Sequence, residues 1–252
     1  MQVQLIRHAT LRVSVAGHTF LVDPMLSDKD AMDPIQNASN ATRIPMVPLP
    51  FSPDEILKDV EAVLVTHTHP DHWDEAATQV IPKALPILCQ PEDLSKFSEW
   101  GYTDVRPVSA ELQFDGVSIH RTGGQHGTGE IGRKMAPVSG FVLHTADSKS
   151  LYIAGDTIYC PEVEAALSAH RPDVTVVNAG AAQFTTGGPI TMTALDVAKV
   201  CRYARKESQV IAVHMEVINH CLLRRDELDR ELTNFRLRER VAIPADGEIL
   251  RF

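Results

Sequence analysis

The chain has 252 residues, a formal charge of −9, and hydrophobic and charged fractions of 44% and 23%. This composition is typical of a soluble globular protein, and no run approaches the roughly 18 apolar residues that a membrane span needs. The negative charge and the lack of a Lys/Arg-rich tract argue against duplex nucleic acid as a partner. We predict a single domain over residues 1–252, with two tight halves as the alternative.

The N-terminus and the cysteines predict a cytoplasmic protein. The opening "MQVQLIRHATLRVSV" enters a strand pattern directly and lacks the basic segment, apolar stretch and cleavage site of an export signal. The cysteines form no C-x-x-C pair and are irregularly spaced, so neither a disulfide framework nor a zinc ribbon is indicated. We interpret them as reduced thiols: Cys89, Cys160, Cys201 and Cys221.

The chain begins with predicted strands and then a long loop. Apolar alternation indicates strands at residues 2–7 and within 11–22, where "VAGHT" supplies a glycine turn. From Pro24 to Pro53 the sequence holds six prolines and no sustained period. Loops of this length in compact domains tend to be functional. We therefore expect residues 24–50 to border the active site and shape its substrate pocket.

Strands and helices alternate through the remainder of the chain. Continuous apolar runs typical of buried strands are "VEAVLVT", "LPILC", "VSIHRT", "VSGFVLHT", "LYIAGD", "DVTVVNAG" and "QVIAVH". Apolar residues at three and four spacing predict helices in "PEDLSKFSEWG", "CPEVEAALSAH", "TMTALDVAKVCRYARKE" and "RRDELDRELTNFRLRER". The pattern indicates a mixed α/β fold without internal repeats.

The segment "VLVTHTHPDHWDE", residues 63–75, concentrates groups that bind metal ions directly after an apolar strand. His67 and His69 are two residues apart, and Asp71 and His72 follow. This spacing is too dense for a helical pair of ligands but suits a tight loop that can face two adjacent metals. Imidazole suits zinc, iron and manganese, whereas carboxylate favours harder ions.

Three further candidates follow predicted strands in the same way. His126 comes after "VSIHRTGGQ", Asp156 after "LYIAG", and His214 ends "QVIAVH". Strand ends can bring side chains from distant parts of a chain together on a rigid frame. No cysteine is adjacent in sequence to these residues, so we expect a site of nitrogen and oxygen ligands only.

The pattern H-x-H-x-D-H after a hydrophobic strand, then a lone His, the Asp of "GDT" and a late His resembles the metallo-β-lactamase superfamily. The resemblance implies an αββα sandwich with a dinuclear site at one edge. It implies that the first metal is bound by His67, His69 and His126, the second by Asp71, His72 and His214, and both by Asp156. Two divalent ions are therefore expected, with zinc first and manganese or iron also compatible.

The resemblance implies a hydrolase in which a bridging hydroxide attacks the substrate. Asp71 would orient the nucleophile and relay its proton. The opening "LIRHATLRVSVAGHTFLVDPML" and the closing "VAIPADGEIL" look like the branch of ascorbate-6-phosphate lactonases and N-acylphosphatidylethanolamine phospholipases. That branch favours a small ester-type substrate, a lactone or a phosphoester, and anions are compatible because local metal charge can override the net charge. The alternatives are a di-iron oxidoreductase or a non-catalytic metal-binding protein, and a homo-oligomer stays open.

Some polar residues keep two interpretations. Asp23 and Asp74 would either orient ligand histidines from behind or act as turn residues. His220 would be the acid that protonates the leaving group, a substrate contact, or a structural hydrogen-bonding residue. Asp156 could instead cap the following helix. Ordinary surface or core roles are expected for the remaining histidines considered, which are His8, His18, His120, His144 and His170.

Overall fold

The structure, a computed structural model, describes residues 1–146 and 148–252. Two seven-stranded sheets form its centre. In spatial order the first sheet contains β14 (Ile249–Arg251), β1 (Gln2–Arg7), β2 (Thr10–Val15), β3 (His18–Val22), β4 (Ala62–Val65), β5 (Ile87–Cys89) and β6 (Val105–Pro107). The second contains β13 (Val241–Ala242), β12 (Gln209–Val213), β11 (Val174–Asn178), β10 (Leu151–Ile153), β9 (Gly140–His144), β8 (Val117–Thr122) and β7 (Glu111–Phe114).

Helices cover the outer faces of both sheets. Packed on the first sheet are α1 (Pro53–Leu57), α2 (Glu75–Val80) and α3 (Leu94–Glu99). Packed on the second are α5 (Pro161–His170), α6 (Ala194–Tyr203) and α7 (Arg225–Asn234). Between them in sequence lies α4 (Gly129–Met135), and short 3-10 helices occupy Pro91–Asp93 and Arg238–Arg240. The αββα sandwich expected from the resemblance is confirmed.

The core explains why the central strands are apolar throughout. Leu64 of β4 joins the layer between the sheets, whereas its neighbours Val63 and Val65 pack under the helices of the first sheet. Successive strand side chains point to opposite faces. Because both faces of β4 are covered, all its residues are buried, and the sequence shows a continuous apolar run instead of alternation.

Strand direction decides which residues meet at the edge of the sandwich. In the first sheet β1, β3 and β4 run parallel to one another, since β2 is antiparallel to both β1 and β3 and β4 pairs in parallel with β3. In the second sheet β8, β10, β11 and β12 share one direction for the same reason. The carboxyl ends of these strands therefore supply residues to a common edge.

The predicted elements are mostly present but shorter than expected. The helix predicted over 191–207 begins only at Ala194, because Thr193 caps it, accepting a hydrogen bond from the backbone N–H of Asp196. The helix predicted over 224–240 ends at Asn234 and continues as a 3-10 turn and β13. The shortest elements, among them β6, β7, α1 and α2, gave no periodic signal. Within the described residues, no helix has the length and apolarity to cross a membrane.

Candidate metal centre

The "HTHPDH" segment forms a tight loop after β4. The backbone N–H groups of His72 and Trp73 both donate to the carbonyl of His69, at 2.9 Å each. Asp74 then caps α2, accepting from the backbone N–H of Ala77 at 2.8 Å. The loop is thus closed by its own backbone and by the following helix. Its ligand candidates are buried, apart from the partly exposed His69.

One group of histidines, which we call the first metal set, consists of His67, His69 and His126. Their nitrogen donors all lie within 4.8 Å of one another. Nε2 of His67 is 3.0 Å from Nδ1 of His69. The set joins the loop after β4 to the glycine-rich loop after β8, so it connects the two sheets.

The second metal set consists of Asp71, His72 and His214. Nε2 of His72 lies 3.3 Å from Nε2 of His214, and Oδ2 of Asp71 lies 3.5 Å from that same nitrogen. His214 follows β12 with a left-handed backbone, at φ 69°. This conformation is uncommon for a residue with a side chain and turns the imidazole into the site.

Asp156 lies between the two sets. Its Oδ2 is 3.4 Å from Nε2 of His126, whereas its Oδ1 is 3.3 Å from Nε2 of His214. Nδ2 of Asn178, at the end of β11, donates to Oδ1 at 2.6 Å. The alternative role of Asp156 as a helix cap is wrong, because the N-cap of α5 is Cys160.

Hydrogen bonds behind the histidines select which ring nitrogen faces the site. Asp23, which follows β3, accepts from Nδ1 of His72 at 2.8 Å and from the hydroxyl of Thr66 at 2.6 Å. The Thr66 hydroxyl oxygen lies 3.0 Å from Nδ1 of His67 and accepts a hydrogen bond from it. Both histidines are thereby left with Nε2 free to bind a cation. Of the two aspartates in question, Asp23 hydrogen-bonds the candidate ligand His72 from behind, whereas Asp74 acts as a helix cap.

The remaining buried histidines of the two metal sets, His126 and His214, are also contacted at Nδ1. Nδ1 of His126 donates to the carbonyl of Ile190 at 2.8 Å. Nδ1 of His214 lies 3.5 Å from Sγ of Cys221, so a cysteine does adjoin the site, although it is not adjacent in sequence. Gly127 also permits this packing, because a Cβ there would lie 2.8 Å from Ile190.

The spacing of these donors fits metal ions. Two nitrogens at 2.0–2.1 Å from one tetrahedral ion lie about 3.3 Å apart. The shortest separations in each set, 3.0 Å and 3.3 Å, match this value. Uncompensated burial of so many ionisable groups would be costly, so a bound cation also accounts for their burial. The donors are imidazole and carboxylate, which suit zinc, manganese and iron.

The charges within the site indicate a strong demand for cations. Burial acts to lower the pKa of His72, but the surrounding carboxylates, led by Asp156, raise it to about 10. Burial acts to raise the pKa of Asp71, but His72 and hydrogen bonds from His214 and His8 hold it well below its usual range. Because ligating imidazoles must be neutral, metal binding here would release protons.

His220 lies at the wall of this centre. It is 95% buried, and its Nδ1 has no hydrogen-bond partner in the described part of the chain. Its ring lies 5.6 Å from that of Phe184, centroid to centroid, and its carbonyl accepts from the backbone N–H of Gln183. The predicted structural hydrogen bond of the ring is therefore not seen within residues 1–146 and 148–252.

The proline-rich segment packs against the same wall. Ile44 contacts Val217 and Ile218, and the side chain of Asn219 bonds the backbone of Ile35 and of Asn40. The segment thus supports the stretch between His214 and His220. A cavity of about 310 Å³ lies on another side of the centre, lined by His126, Arg133 and the glycines between them.

One residue of the centre was assigned an ordinary role from the sequence. His8 is fully buried, and its Nε2 lies 3.2 Å from Oδ2 of Asp71. The expectation of a surface or core role for His8 is wrong, because β1 runs parallel to β4 and ends at the same edge. The available signal was its position directly after a strand, which it shares with His214. The other histidines given ordinary roles lie elsewhere: His18 beside Glu61, His120 beside His170, and the exposed His144.

Comparison with known proteins identifies the family. The sequence model of the Beta-lactamase superfamily domain matches residues 18–215. The chain belongs to the metallo-β-lactamase superfamily. This superfamily member is 35% identical to the UPF0173 protein YddR of Bacillus subtilis (strain 168), with full coverage of both chains.

Solved structures of superfamily proteins agree with this assignment over nearly the whole length. A crystal structure of isothiocyanate hydrolase from Delia radicum gut bacteria is 38% identical, with a TM-score of 0.95, covering 100% of this chain and 99% of that one. A possible metal-dependent hydrolase from Veillonella parvula is 36% identical, with a TM-score of 0.96 and coverage of 99% and 98%. The chain is accordingly grouped with the metal-dependent hydrolases of the superfamily.

Proposed function

We propose that this protein is a dinuclear metal-dependent hydrolase of a small electrophilic substrate. The observation that carries the proposal is the position of Asp156 between the sets: Oδ2 lies 3.4 Å from Nε2 of His126 and 3.3 Å from Nε2 of His72, and Oδ1 lies 3.3 Å from Nε2 of His214. A carboxylate in this position can serve two ions at once, whereas a single ion would leave one set without a cation. The proposed ligands are His67, His69 and His126 for one ion, Asp71, His72 and His214 for the other, and Asp156 for both.

A pair of bound ions would lower the pKa of a water molecule towards neutrality and polarise the substrate. The chain's own residues would do the rest. Asp71 has a depressed pKa, so it is an ionised carboxylate that accepts hydrogen bonds at Oδ2; its proposed role is to orient the nucleophile and relay its proton. The proposed ligands are buried apart from the partly exposed His69, which is where solvent reaches the set most readily.

His220 is the second proposed catalytic residue. Burial is the main cause that lowers its pKa, so the imidazole is neutral near pH 7 and presents one N–H and one free nitrogen. Its Nδ1 lacks a partner among the residues that the structure describes, and an unpaired buried nitrogen is costly unless it serves a ligand. The proposed role is to hold the leaving group by a hydrogen bond, or to donate a proton to it from the imidazolium form, which the nearby carboxylates of Asp71 and Asp156 favour.

An isothiocyanate is the substrate class that we place first. The support is the 38% identity and TM-score of 0.95 to isothiocyanate hydrolase, over essentially the full length of both chains. Addition of one water to R–N=C=S gives the amine R–NH₂ and carbonyl sulfide, so atoms balance without an oxidant. The cavity of about 310 Å³ is of a size that takes a small molecule.

Small esters are the second class, and lactones and phosphoesters are the specific candidates. Their support is the resemblance of the chain's two ends to the lactonase and phospholipase branch, together with Arg133 in the cavity wall, which suits an anionic group. The alternatives are a di-iron oxidoreductase, which usually has Glu at the position of His69, and a non-catalytic metal-binding protein, which would be expected to lack a ligand or Asp71; this chain has both His69 and Asp71. Superfamily membership does not choose among these chemistries.

One experiment addresses both the metals and the substrate. The protein is purified without added metal, its metal content is measured, and it is assayed with benzyl isothiocyanate, a γ-lactone and bis(p-nitrophenyl) phosphate. We expect about two zinc, manganese or iron equivalents and turnover of the isothiocyanate, which Asp156→Asn abolishes and His120→Ala retains. Hydrolysis of an ester alone would move the second class to first place. Metal without turnover of any probe, or iron with oxygen consumption, would support the alternatives.

The compartment that we propose is the cytoplasm. Its support is the state of the cysteines, all of which are free, with Cys89, Cys160 and Cys201 buried among apolar side chains. Thiols persist in a reducing environment. Labelling of the denatured protein with a thiol reagent, directly after extraction, should modify all four cysteines.

A further inference from the structure

His8 is a histidine of the centre that neither the ligand scheme nor the proposed catalytic roles use. Its side chain is completely buried, its Nε2 lies 3.2 Å from Oδ2 of Asp71, and its ring centroid lies 3.6 Å from that of His214. Its carbonyl accepts from the backbone N–H of His214 at 3.0 Å. Three separate contacts therefore tie His8 to two members of the second metal set.

The geometry excludes His8 as a partner of His214 on one ion. The donors of His8, Asp71, His72 and His214 do lie within 4.8 Å of one another, so distance alone would permit ligation. However, ring centroids of two imidazoles bound to one ion are about 5 Å apart at a tetrahedral angle and about 4.5 Å at a right angle. The ring centroids of His72 and His214 satisfy this at 5.3 Å, whereas those of His8 and His214 are only 3.6 Å apart, with the ring planes tilted by 38°.

The direction of the hydrogen bond follows from the chemistry of its partners. An ionised carboxylate only accepts, so Nε2 of His8 must carry the proton and donate it to Asp71. Nδ1 of His8 is then an acceptor, and it has no partner among the described residues. His8 itself has a left-handed backbone, at φ 60°, which few residues with side chains adopt. An unpaired nitrogen and an unfavourable turn are both costs that the contact to Asp71 and His214 offsets.

We infer that His8 is a positioning residue that donates a hydrogen bond from Nε2 to Asp71 and thereby orients the second metal set. This inference rests on the proposed dinuclear function. His8 acts on the set from the opposite sheet to His214, so it also holds the two sheet edges at a fixed separation. The first metal set has no contact with His8 in the described part of the chain and should bind its ion independently.

The test is a Co²⁺ titration of the metal-free protein, followed by visible absorption of the bound ion. His8→Met removes the donor and keeps an unbranched apolar side chain, whereas His8→Gln keeps an N–H at the position of Nε2. Both variants place a residue with a side chain at the same left-handed backbone position. His8→Asn, which suits a left-handed backbone, removes the contact if His8→Met does not fold.

The expected result is two Co²⁺ equivalents for the wild type. For His8→Met and His8→Asn we expect an unchanged first equivalent and a second that binds about 10- to 100-fold more weakly, as is usual when a residue behind a ligand is lost. His8→Gln should recover most of this loss. For benzyl isothiocyanate hydrolysis we expect kcat to fall and KM to stay unchanged.

Two outcomes overturn the inference while the proposed function stands. Wild-type binding of the second equivalent in His8→Asn would show that the contact has no effect. Equal damage in His8→Gln and His8→Met would show that His8 acts through metal ligation or ring packing and not through its donor. Failure of the proposed function is detected with the wild type alone. Binding of one Co²⁺ equivalent or none would show that the second metal set does not bind an ion, and the proposed role of His8 would then fail as well.

Discussion

Asp23 offers a direct test of whether support from behind the ligands matters. Its Oδ1 accepts from the backbone N–H of Thr66 at 2.8 Å, and its Oδ2 accepts from the hydroxyl of Thr66 and from Nδ1 of His72. The proposed change is Asp23→Asn, which keeps the shape and tolerates the left-handed backbone at φ 43°. It replaces one of the two accepting oxygens by an NH₂ group.

The structure sets the size of the effect. If the amide oxygen takes the place of Oδ2, the NH₂ group faces the backbone N–H of Thr66, and at least one buried donor loses its acceptor. Such a loss costs about 1–3 kcal/mol. For a chain of this length each kcal/mol lowers Tm by about 2–4 °C, so we expect a fall of about 2–12 °C in the metal-free protein. Weaker orientation of His67 and His72 should reduce metal affinity about 10- to 100-fold.

The matched control is Asp74→Asn. Asp74 is also buried, and it accepts two backbone hydrogen bonds, from Ser27 at 2.7 Å and from Ala77 at 2.8 Å. It makes no hydrogen bond to a ligand histidine in the described residues. We therefore expect a comparable fall in Tm with unchanged metal affinity. Wild-type metal affinity in Asp23→Asn, or an equal loss of affinity in Asp74→Asn, would refute the reasoning.

Four further outcomes are expected. Elemental analysis after reconstitution should give about two metal equivalents per chain, and one or fewer would contradict the ligand scheme; manganese or iron should substitute for zinc because the ligands lack a thiolate. His214→Ala should lose one metal and nearly all turnover, whereas His220→Ala should keep both metals and lose rate or affinity; the reverse pattern would exchange their roles. We expect KM and substrate preference to change more than metal content when the 24–50 loop is shortened. The same is expected for Asn219→Ala, which removes three hydrogen bonds to that loop. Unaltered kinetics would contradict this. Burial acts to raise the pKa of Asp173, but hydrogen bonds from Ser150 and Arg205 lower it. The ionised carboxylate therefore stabilises the fold above the ordinary carboxyl pKa, and this stabilisation is lost in acid. The difference in unfolding free energy between the wild type and Asp173→Asn, measured by denaturant unfolding of the metal-free protein, should shrink as the pH falls below about 4.

The sequence alone was sufficient to predict the main strands and the ligand candidates that lie beside a recognisable strand. The apolar run ending at Val65 predicts a strand buried on both faces, and the dense loop that follows it predicts a metal site, because both signals lie within a few consecutive residues. His126, Asp156 and His214 were accessible for the same reason, since each follows a recognisable strand. The superfamily resemblance then supplied the αββα arrangement that periodicity cannot provide.

Tertiary structure decided which polar residues stand behind those candidates. His8 is 63 residues from Asp71 and Asn178 is 22 residues from Asp156, and both reach the site only because of strand order and direction. For His8 the decisive fact is that β1 runs parallel to β4, with two strands between them, so that both end at one edge. Hydrophobic patterns specify that a strand exists and which faces it buries. They do not specify its neighbours, because that choice depends on packing free energies summed over the whole sandwich.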